Sequence, residues 1–394
     1  MKKIISVLLA VLFVFSLSVS AFAIDVKEPL KFGDDGKFSI MHVTDTHLDS
    51  DNVEASTWLI AQACDRENPD LVVITGDNVY NDDDAEITKG YITKLMTVFE
   101  ERNIPVAVTF GNHDSERGAM TREDLMAFYN TFSCSVSVDD GPLLSGCGTY
   151  NLPVMSSDGT KIKFNVWFFD SNDYDDEGEY GWVKKDQIEW YKATSDALAL
   201  LNGGERVNSL AFQHIIVPEV YDVLKKADGA TLFAFEHIFN KGDYYMFNPE
   251  SVNYGTLNET PCSGKQNDGQ FDAMVEKGDV LAVFTGHDHT NAFGVRNQGI
   301  DITNSLSTRY NGDAFSTQYG YRMITVDEND TSKYETRVVH WYNMITFENM
   351  AEFGGNKTAI SVAFNGFFQG FFQNLWREIV SMFTGRTISY PDMY

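Results

Sequence analysis

Short runs of β-branched and apolar residues alternate with amphipathic stretches along the first third of the chain. Three of these runs have the length of buried strands, at residues 38–43, 71–75 and 106–110. Residues 53–66, between the first two runs, place apolar side chains at helical spacing. The order strand, helix, strand, helix, strand predicts parallel β-α-β units through residue 110.

Similar patterns continue through the rest of the chain. Strand-like segments lie near residues 161–169, 281–284, 292–303 and 321–326, and helical patterns lie at residues 186–201 and 268–276. An α/β fold with two packed sheets flanked by helices accounts for this order.

Polar clusters rich in Asp, Asn and His interrupt the pattern, and the first three directly follow the three strand-like runs. In chain order the clusters are Asp45-Thr46-His47, Gly76-Asp77-Asn78, Gly111-Asn112-His113-Asp114, His214 and Gly286-His287-Asp288-His289. Ligands of open α/β sheets bind where strands end and loops begin. The clusters therefore predict one site at the ends of the strands.

The residue types and their spacing favour metal ions. In Asp45-Thr46-His47 the Asp and the His are alternate residues of an extended chain, so both side chains reach one ion from the same side. His287 and His289 repeat this spacing. Asp77, after a glycine turn, can give one carboxylate oxygen to each of two ions about 3.5 to 4 Å apart. Oxygen and imidazole ligands without thiolate suit two divalent or trivalent transition metal ions: Mn, Fe or Zn.

The ordered set of clusters resembles the calcineurin-like metallophosphoesterases, over residues 36–345. Tyr180-Gly181-Trp182, residues 187–191 and Pro218-Glu219 are similar to the branch that contains fungal Dcr2-type phosphatases and plant purple-acid-phosphatase-29-like proteins. The resemblance implies a four-layer α/β/β/α sandwich of two mixed sheets.

The resemblance also implies roles for single residues. It places Asp45, His47, Asp77 and His289 around one ion, and Asp77, Asn112, His214 and His287 around the other. Hydroxide bridging the ions would attack phosphorus, with His113 as general acid to the leaving oxygen. Asp114 is the candidate that orients the His113 ring. Arg117 and Arg309 are candidate contacts to phosphate oxygens.

Two ligand positions have rivals. In true purple acid phosphatases the second motif is G-D-x-x-Y, and Tyr80 fits it, so Tyr80 competes with His47 for the same ion. His47 is favoured because imidazole is a ready neutral ligand, whereas a phenol with a pKa near 10 must lose a proton. His237 also follows an apolar run and competes with His214, which is favoured for its strand-like lead.

Charge limits the partners of the chain. With 57 acidic and 30 basic residues the formal net charge is -27, which excludes nucleic-acid binding through a basic patch. Distant carboxylates are screened beyond about 8 Å at physiological salt, whereas two metal ions would contact a phosphate directly. The composition therefore favours a small phosphorylated substrate over a polyanion.

Residues 1–23 have the features of a secretory signal: a basic start, an apolar run and a small-x-small site ending at Ala23. Cleavage after Ala23 would make the protein secreted or extracytoplasmic. Disulfides form in such compartments. Cys134 and Cys147, which bracket a Ser/Gly/Asp-rich stretch, are then the candidate pair.

The C-terminal segment, residues 356–385, predicts an amphipathic helix. Its apolar face is rich in phenylalanine, and its polar positions recur every four residues. Three interpretations stay open: packing against its own domain, attachment to an envelope membrane, and self-association.

Three functions are compatible with these residues. The first is a phosphomonoesterase, and the second is a phosphodiesterase or nucleotide hydrolase with the same metals, which would need room for a second ester group. The third is a secreted metal-binding protein without turnover. All ligand positions hold competent residues and His113 is present, which favours an enzyme.

Overall fold

The computed structural model describes residues 29–116, 118–138, 144–310 and 319–368. The predicted signal peptide, Arg117 and the part of the C-terminal helix after residue 368 lie outside these residues. None of the helices in the described ranges is both long enough and apolar enough to cross a membrane.

The first sheet has five strands. They are β1 (Lys37–Val43), β2 (Leu71–Thr75), β3 (Val106–Thr109), β14 (Gly320–Asp327) and β15 (Tyr334–His340). Their order is β15-β14-β1-β2-β3, with β1, β2 and β3 parallel and β14 and β15 antiparallel to their neighbours. The three strands predicted at the start of the chain match β1, β2 and β3 to within one residue.

The second sheet has seven strands, and a separate small sheet has three. The seven are β4 (Tyr150–Met155), β5 (Ile162–Phe168), β6 (Ser209–Phe212), β10 (Val252–Thr256), β11 (Val280–Thr285), β12 (Ala292–Asn297) and β13 (Ile300–Asn304). Their order is β10-β12-β13-β11-β6-β5-β4, with β5, β6, β11 and β13 parallel. The small antiparallel sheet contains β7 (Lys225–Ala227), β8 (Phe235–Glu236) and β9 (Tyr244–Met246).

Helices connect these strands. They are α1 (Val53–Glu67), α2 (Ala85–Glu100), α3 (Arg122–Tyr129), α4 (Lys185–Leu201), α5 (Val220–Val223), α6 (Gln270–Lys277) and α7 (Trp341–Met344). A 3-10 turn (Met350–Phe353) precedes the last described helix, α8, at residues 357–368. The helices predicted at residues 53–66 and 186–201 are α1 and α4.

Alternation along β1 shows how the layers form. Phe38 and Ile40 are buried with Phe212 of the second sheet, in the core between the two sheets. Met41 and Val43 point the other way and are buried with the helices outside the first sheet. A third core lies between the second sheet and its own helices. The result is the predicted α/β/β/α arrangement of two mixed sheets, which is confirmed.

The candidate disulfide partners lie in one core. Cys134 and Cys147 are both buried in the core outside the first sheet, where the Sγ of Cys134 lies 3.9 Å from the carbonyl oxygen of Met96. The disulfide between them stays a prediction. Cys64 on α1 is a buried thiol, and burial raises its pKa to about 12.

Helix α8 has two unlike faces. Ala359, Val362 and Ala363 are buried in the core outside the first sheet. The opposite face leaves large side chains exposed next to Phe347. This exposed apolar patch consists of Phe347, Ile360, Phe364, Phe367 and Phe368. The part of the predicted helix that is described therefore packs against its own domain through small residues and leaves its aromatic residues outside.

Candidate metal centre

Loops after five strands bring the predicted ligands together. Asp45 and His47 follow β1, Asp77 follows β2, Asn112 follows β3, His214 follows β6, and His287 and His289 follow β11. The loops are joined by backbone hydrogen bonds: the N–H of Asp45 donates to the carbonyl of Gly76 at 3.0 Å, and the N–H of Gly286 donates to that of His214 at 3.1 Å. Both sheets thus supply ligands to one site.

The carboxylates and imidazoles form two groups that share Asp77. One group is Asp45, His47, Asp77 and His289, and the other is Asp77, His214 and His287. Within each group the ligand atoms lie within 4.8 Å of one another. These are the two sets that the family resemblance implies, apart from Asn112, whose ligand would be an amide oxygen.

Asp77 has the position of a bridge, because it belongs to both ligand groups. Its Oδ1 accepts the backbone N–H of His113 at 2.8 Å. Its Oδ2 lies 3.2 Å from Nε2 of His214 and 3.7 Å from Nε2 of His47, so it faces both groups. Oδ2 therefore lies where it could reach ions in both groups, and the expectation that Asp77 gives one oxygen to each ion stays a prediction.

In the first ligand group, Asp45 and two histidines approach one another closely. The Oδ2 of Asp45 accepts the Thr44 hydroxyl at 2.7 Å and the backbone N–H of His287 at 3.0 Å. Its Oδ1 lies 3.4 Å from Nε2 of His289, which is 3.0 Å from Nε2 of His47. Two imidazole nitrogens and a carboxylate oxygen therefore point at one small volume.

Hydrogen bonds orient two ligands of the second group, because they occupy the side-chain nitrogen that does not face the site. Nδ1 of His214 lies 2.8 Å from the carbonyl oxygen of Thr75, so Nδ1 carries the proton and Nε2 faces the site. Nδ2 of Asn112 donates to the hydroxyl of Tyr174 at 2.8 Å, which leaves Oδ1 for the site. The rival His237 lies elsewhere, with its ring stacked on Tyr221.

Unpartnered polar atoms show that the residues fit metal ions. Five buried ligand atoms have no hydrogen-bond partner in the described part of the chain: Asp45 Oδ1, Asp77 Oδ2, Asn112 Oδ1, His214 Nε2 and His287 Nε2. Each such atom costs about 1 to 3 kcal/mol when it stays unsatisfied. Cations between these oxygen and nitrogen atoms would satisfy them together, and the donor set suits Mn, Fe or Zn. The identity of the metals stays a prediction.

The pKa shifts of the ligand side chains also indicate a site for positive charge. Burial opposes charge on Asp45 and Asp77, but the facing imidazoles, His214 above all, hold the pKa of both carboxyls well below the usual range. Burial also opposes charge on His214, yet Asp77 and Asp45 raise its pKa to about 9. The two buried carboxylates thus hold positive charge at this place, which is the role that metal ions would take over.

The backbone of the site is strained. Asp45, His47, Asp77 and His287 all have left-handed φ angles, at 52°, 41°, 51° and 72°. Residues other than glycine rarely adopt this region, and each instance costs about 1 to 3 kcal/mol. At Gly111 a Cβ atom would overlap the Asp77 carboxylate. Close packing of the loops holds these residues in their strained conformations. The same packing brings all the ligands within reach of one another.

Asp114 does not orient the His113 ring, so that prediction is wrong. Its carboxylate turns to the backbone and accepts N–H groups of Asp77 at 2.8 Å, Asn78 at 2.9 Å and Gly111 at 2.8 Å. Burial and the charge of Asp77 raise the pKa of Asp114 to about 6, against the effect of these hydrogen bonds. Asp114 instead ties the loop after β2 to the loop after β3.

The partner of the His113 ring is Glu116, which no sequence motif indicated. Glu116 Oε2 lies 2.5 Å from Nδ1 of His113, and its position three residues later was the only available signal. His113 is about one-third exposed and borders an open cavity of about 620 Å³. The cavity is lined by Tyr80, Asn81, Asp82, Asp83, His113 and Glu116.

Tyr80 belongs to the wall of this cavity. It is 42% exposed, whereas its rival His47 is buried within the first ligand group. The two rings lie beside each other, with centroids 5.0 Å apart. This placement agrees with the preference for His47, and the choice of ligand stays a prediction.

The two candidate phosphate-binding arginines both stay predictions. Arg117 lies outside the described residues. The backbone of Arg309 is near the site, since its N–H donates to Ser307 Oγ at 3.3 Å and that hydroxyl donates to the Asp45 carbonyl at 2.7 Å. No contact between the Arg309 guanidinium and a ligand occurs in the described structure, and its role stays a prediction.

A buried arginine outside every predicted motif supports the loop after β3. The Nη1 of Arg122 lies 2.5 Å from Asp170 Oδ1, and its Nη2 donates to the carbonyl of Gly111 at 2.8 Å. Only the fold brings Arg122 and Asp170 together, because they are 48 residues apart in the chain.

Comparison with known proteins gives the family. The sequence profile named "Calcineurin-like phosphoesterase" matches residues 38–291. "Probable inactive purple acid phosphatase 14" of Arabidopsis thaliana is 29% identical over 347 residues, which cover 79% of this chain and 80% of that protein. "Phosphatase DCR2" of Saccharomyces cerevisiae is 27% identical over 288 residues, which cover 67% of this chain and 46% of that protein.

Among solved structures, a dimetal phosphatase from Danio rerio is similar, with 12% identity and a TM-score of 0.45. The similarity covers 76% of this chain and 98% of that chain. The sequence profile matches more than half of the chain, and its span includes every strand-end cluster of the candidate metal centre. The protein is therefore a member of the calcineurin-like phosphoesterase family, a metal-dependent phosphoesterase with a candidate dimetal site.

Proposed function

We propose that this chain is an exported phosphomonoesterase that uses two metal ions. The observation that carries the proposal is the group of five buried, unpartnered ligand atoms beside a cavity that His113 borders. Ligands, a proton donor and space for a leaving group thus occur at one place.

The chemistry divides between the ions and the side chains. Two bound ions would supply an activated water and neutralise charge on the phosphoryl oxygens. His113 donates a proton to the leaving oxygen, because its ring borders the cavity where that oxygen departs. Glu116 holds Nδ1 of this ring, so Nε2 is the atom that donates.

The lining of the cavity supports small substrates with one phosphate. Asp82, Asp83 and Glu116 line the side into which a leaving group would extend. A leaving group with further phosphates would meet these carboxylates and be repelled. A small alcohol or phenol has no such penalty, which favours monoesters over nucleoside polyphosphates.

The test is a comparison of substrates with protein loaded with Mn, Fe or Zn. We expect kcat/KM for a small phosphomonoester such as p-nitrophenyl phosphate to exceed that for bis-p-nitrophenyl phosphate and for ATP by about 10-fold or more. Faster cleavage of the diester would overturn the monoesterase assignment in favour of a phosphodiesterase. Metal analysis of the same samples reports whether two ions are bound.

A second candidate is a metal-binding protein without turnover. It is favoured by the name of the Arabidopsis relative, which describes that protein as probably inactive. Two bound ions with no hydrolysis of any phosphoester would establish this alternative for the present chain. The presence of His113 with Glu116 beside the cavity supports turnover instead.

Export is a separate part of the proposal and has its own test. It rests on the sequence pattern of residues 1–23, which ends in a small-x-small site at Ala23. Mass spectrometry of the protein recovered outside the cytoplasm should give an N-terminus at Ile24. Recovery of the chain with residues 1–23 still attached would contradict cleavage.

A further inference from the structure

Two tyrosines from one loop lie against the second ligand group, although neither belongs to a ligand motif. The hydroxyl of Tyr174 accepts the Nδ2 hydrogen of Asn112 at 2.8 Å. The ring of Tyr180 stacks near that of Tyr174, with centroids 5.9 Å apart, and meets the His287 ring edge-on at 4.3 Å. Two half-buried tyrosines therefore lie beside Asn112 and His287.

The loop holds Tyr174 in place. Tyr174 and Tyr180 form an antiparallel bridge, and the N–H of Gly181 donates to the carbonyl of Asp173 at 2.8 Å. The N–H of Asp175 donates to the carbonyl of Glu179 at 2.8 Å and closes the turn. These backbone contacts form a hairpin that fixes the backbone of Tyr174, and the bond from Asn112 fixes its hydroxyl.

The hydrogen bond decides which end of the Asn112 amide faces the ions. An amide has an acceptor oxygen and a donor nitrogen of nearly equal shape. Because Tyr174 takes the nitrogen, Oδ1 of Asn112 is left toward the site, buried and unpartnered. The reversed amide would point two N–H groups at a cation, which is unfavourable.

The same hydroxyl still has a proton to give. A phenol is protonated at neutral pH and can accept one hydrogen bond while it donates another. Within the described ranges the Tyr174 O–H donates to no acceptor. The hydroxyl is bonded to the amide of Asn112, so a phosphoryl oxygen bound beside the Asn112 ligand atom could accept its proton.

We propose that Tyr174 positions Asn112 for the second ion and donates its O–H to a non-bridging oxygen of the bound phosphate. The inference rests on the proposed function for the phosphate contact, whereas the positioning of Asn112 requires only metal binding. Tyr180 packs against His287 and serves as a wall without a polar role.

The test compares Tyr174→Phe with the matched control Tyr180→Phe, which also removes one hydroxyl from a neighbouring ring. In protein loaded with Mn²⁺, calorimetry with inorganic phosphate should show binding weakened about 10- to 100-fold by Tyr174→Phe and changed less than about 2-fold by Tyr180→Phe. A Mn²⁺ titration without phosphate should show the second equivalent binding about 5- to 10-fold more weakly in Tyr174→Phe alone.

Kinetics distinguish this role from that of the general acid. Because the contact is to the transferred phosphoryl group, Tyr174→Phe should lower kcat/KM equally for good and poor leaving groups, whereas loss of His113 should affect poor leaving groups more. A wild-type protein without turnover whose Mn²⁺ titration still separates the two variants would overturn the proposed function and support the positioning of Asn112. Equal phosphate and Mn²⁺ affinities in Tyr174→Phe and Tyr180→Phe, with matching melting temperatures, would overturn the inference.

Discussion

The metal centre and the exposed apolar patch are opposite exceptions to the usual distribution of polar and apolar groups. In the metal centre, six polar atoms of the ligand residues are buried without partners in the described part of the chain, the five ligand atoms and Nδ1 of His47. In the patch, Phe364 and Phe367 are 51% and 58% exposed although they are large and apolar. Buried polar groups are normally hydrogen-bonded, and contiguous exposed apolar groups normally have a partner surface. The metal centre therefore indicates bound cations, whereas a partner for the patch stays a prediction.

The metal centre and the patch differ in how narrowly they define what could bind to them. The unpartnered atoms of the metal centre surround a volume the size of ions, and strained loops fix their directions. The patch is held by ring contacts such as Phe347 to Phe367 at 5.6 Å and Phe364 to Phe368 at 4.7 Å, and it is open on one side. In the metal centre, geometry and donor type indicate metal ions, whereas in the patch only the apolar character of a partner is indicated.

The largest effect is expected from Asp77→Ala. Because Oδ2 of Asp77 faces both ligand groups, the variant should lose at least one bound ion and reduce turnover by about 10³-fold or more. Elemental analysis of the purified variant measures the metal. Asp83→Ala, which removes a carboxylate from the cavity wall, is the control and should keep both ions. Two ions retained in Asp77→Ala would contradict the bridging role.

His113→Ala should keep both ions and lower turnover by about 10² to 10⁴, the usual contribution of a general acid. Substrates whose leaving group needs no proton should recover much of this loss. Glu116→Gln keeps a hydrogen-bond partner at Nδ1 without its charge, and should cost about 3- to 10-fold with the same dependence on the leaving group. Equal losses for all leaving groups would show that His113 is not the acid.

Two truncations separate the buried and exposed faces of α8. Deleting residues 356–394 removes Ala359, Val362 and Ala363 from the core, and we expect the melting temperature to fall by roughly 5 to 10 °C. Deleting residues 369–394 keeps these three residues, so its melting temperature should stay above that of the shorter protein. Both proteins should bind metal, because every proposed ligand precedes residue 290. Equal melting temperatures would mean that α8 does not stabilise the domain.

The patch itself is tested by Phe364→Ser combined with Phe367→Ser. We expect self-association or co-sedimentation with envelope membranes to decrease, with little change in melting temperature, because both rings are exposed. Leu200→Ser combined with Leu201→Ser is the matched control, since these leucines are 72% and 62% exposed at the end of α4. Analytical ultracentrifugation and vesicle sedimentation measure the effect. A monomeric wild type that ignores membranes would leave the patch without a partner.

The smallest effect is expected at the rival ligand. Tyr80→Phe should leave metal content unchanged, and the iron-loaded wild type should lack the purple colour of a tyrosinate bound to ferric iron. The reason is that His47 is buried within the first ligand group whereas Tyr80 lines the cavity. A purple protein that bleaches in Tyr80→Phe would assign the position to the tyrosine.

The ligands could be predicted from the sequence because residue type and strand ends carry the information. Asp, Asn and His after apolar runs predict where metal ligands meet, and the fold gathered them as expected. Partners set by loop geometry could not be predicted in this way. Tyr174 is 62 residues from Asn112 in the chain, so no local motif connects them. The carboxylate of Asp114 could accept a hydrogen bond from an imidazole ring or from the backbone, and residue type alone does not distinguish the two.

Helix α8 shows a second limit of sequence patterns. Its phenylalanines are the strongest apolar signal in the sequence, yet Ala359, Val362 and Ala363 are the residues of its described part that enter the core. Small side chains permit close approach of a helix to its neighbours, whereas the position of the rings depends on how far the core surface extends. An apolar face therefore predicts a helix better than it predicts which residues are covered.

The carboxylate of Asp114 has a consequence for motion in the site. It receives backbone N–H groups from Asp77, Asn78 and Gly111, which lie outside strands. Amides in irregular loops usually exchange with solvent quickly, because they open locally at low free energy. Here the three amides share one buried acceptor, so opening either loop breaks contacts of both. We expect these amides to exchange with deuterium as slowly as those of β2 and β3, even after chelation, so that returning ions meet ligands that are already in place.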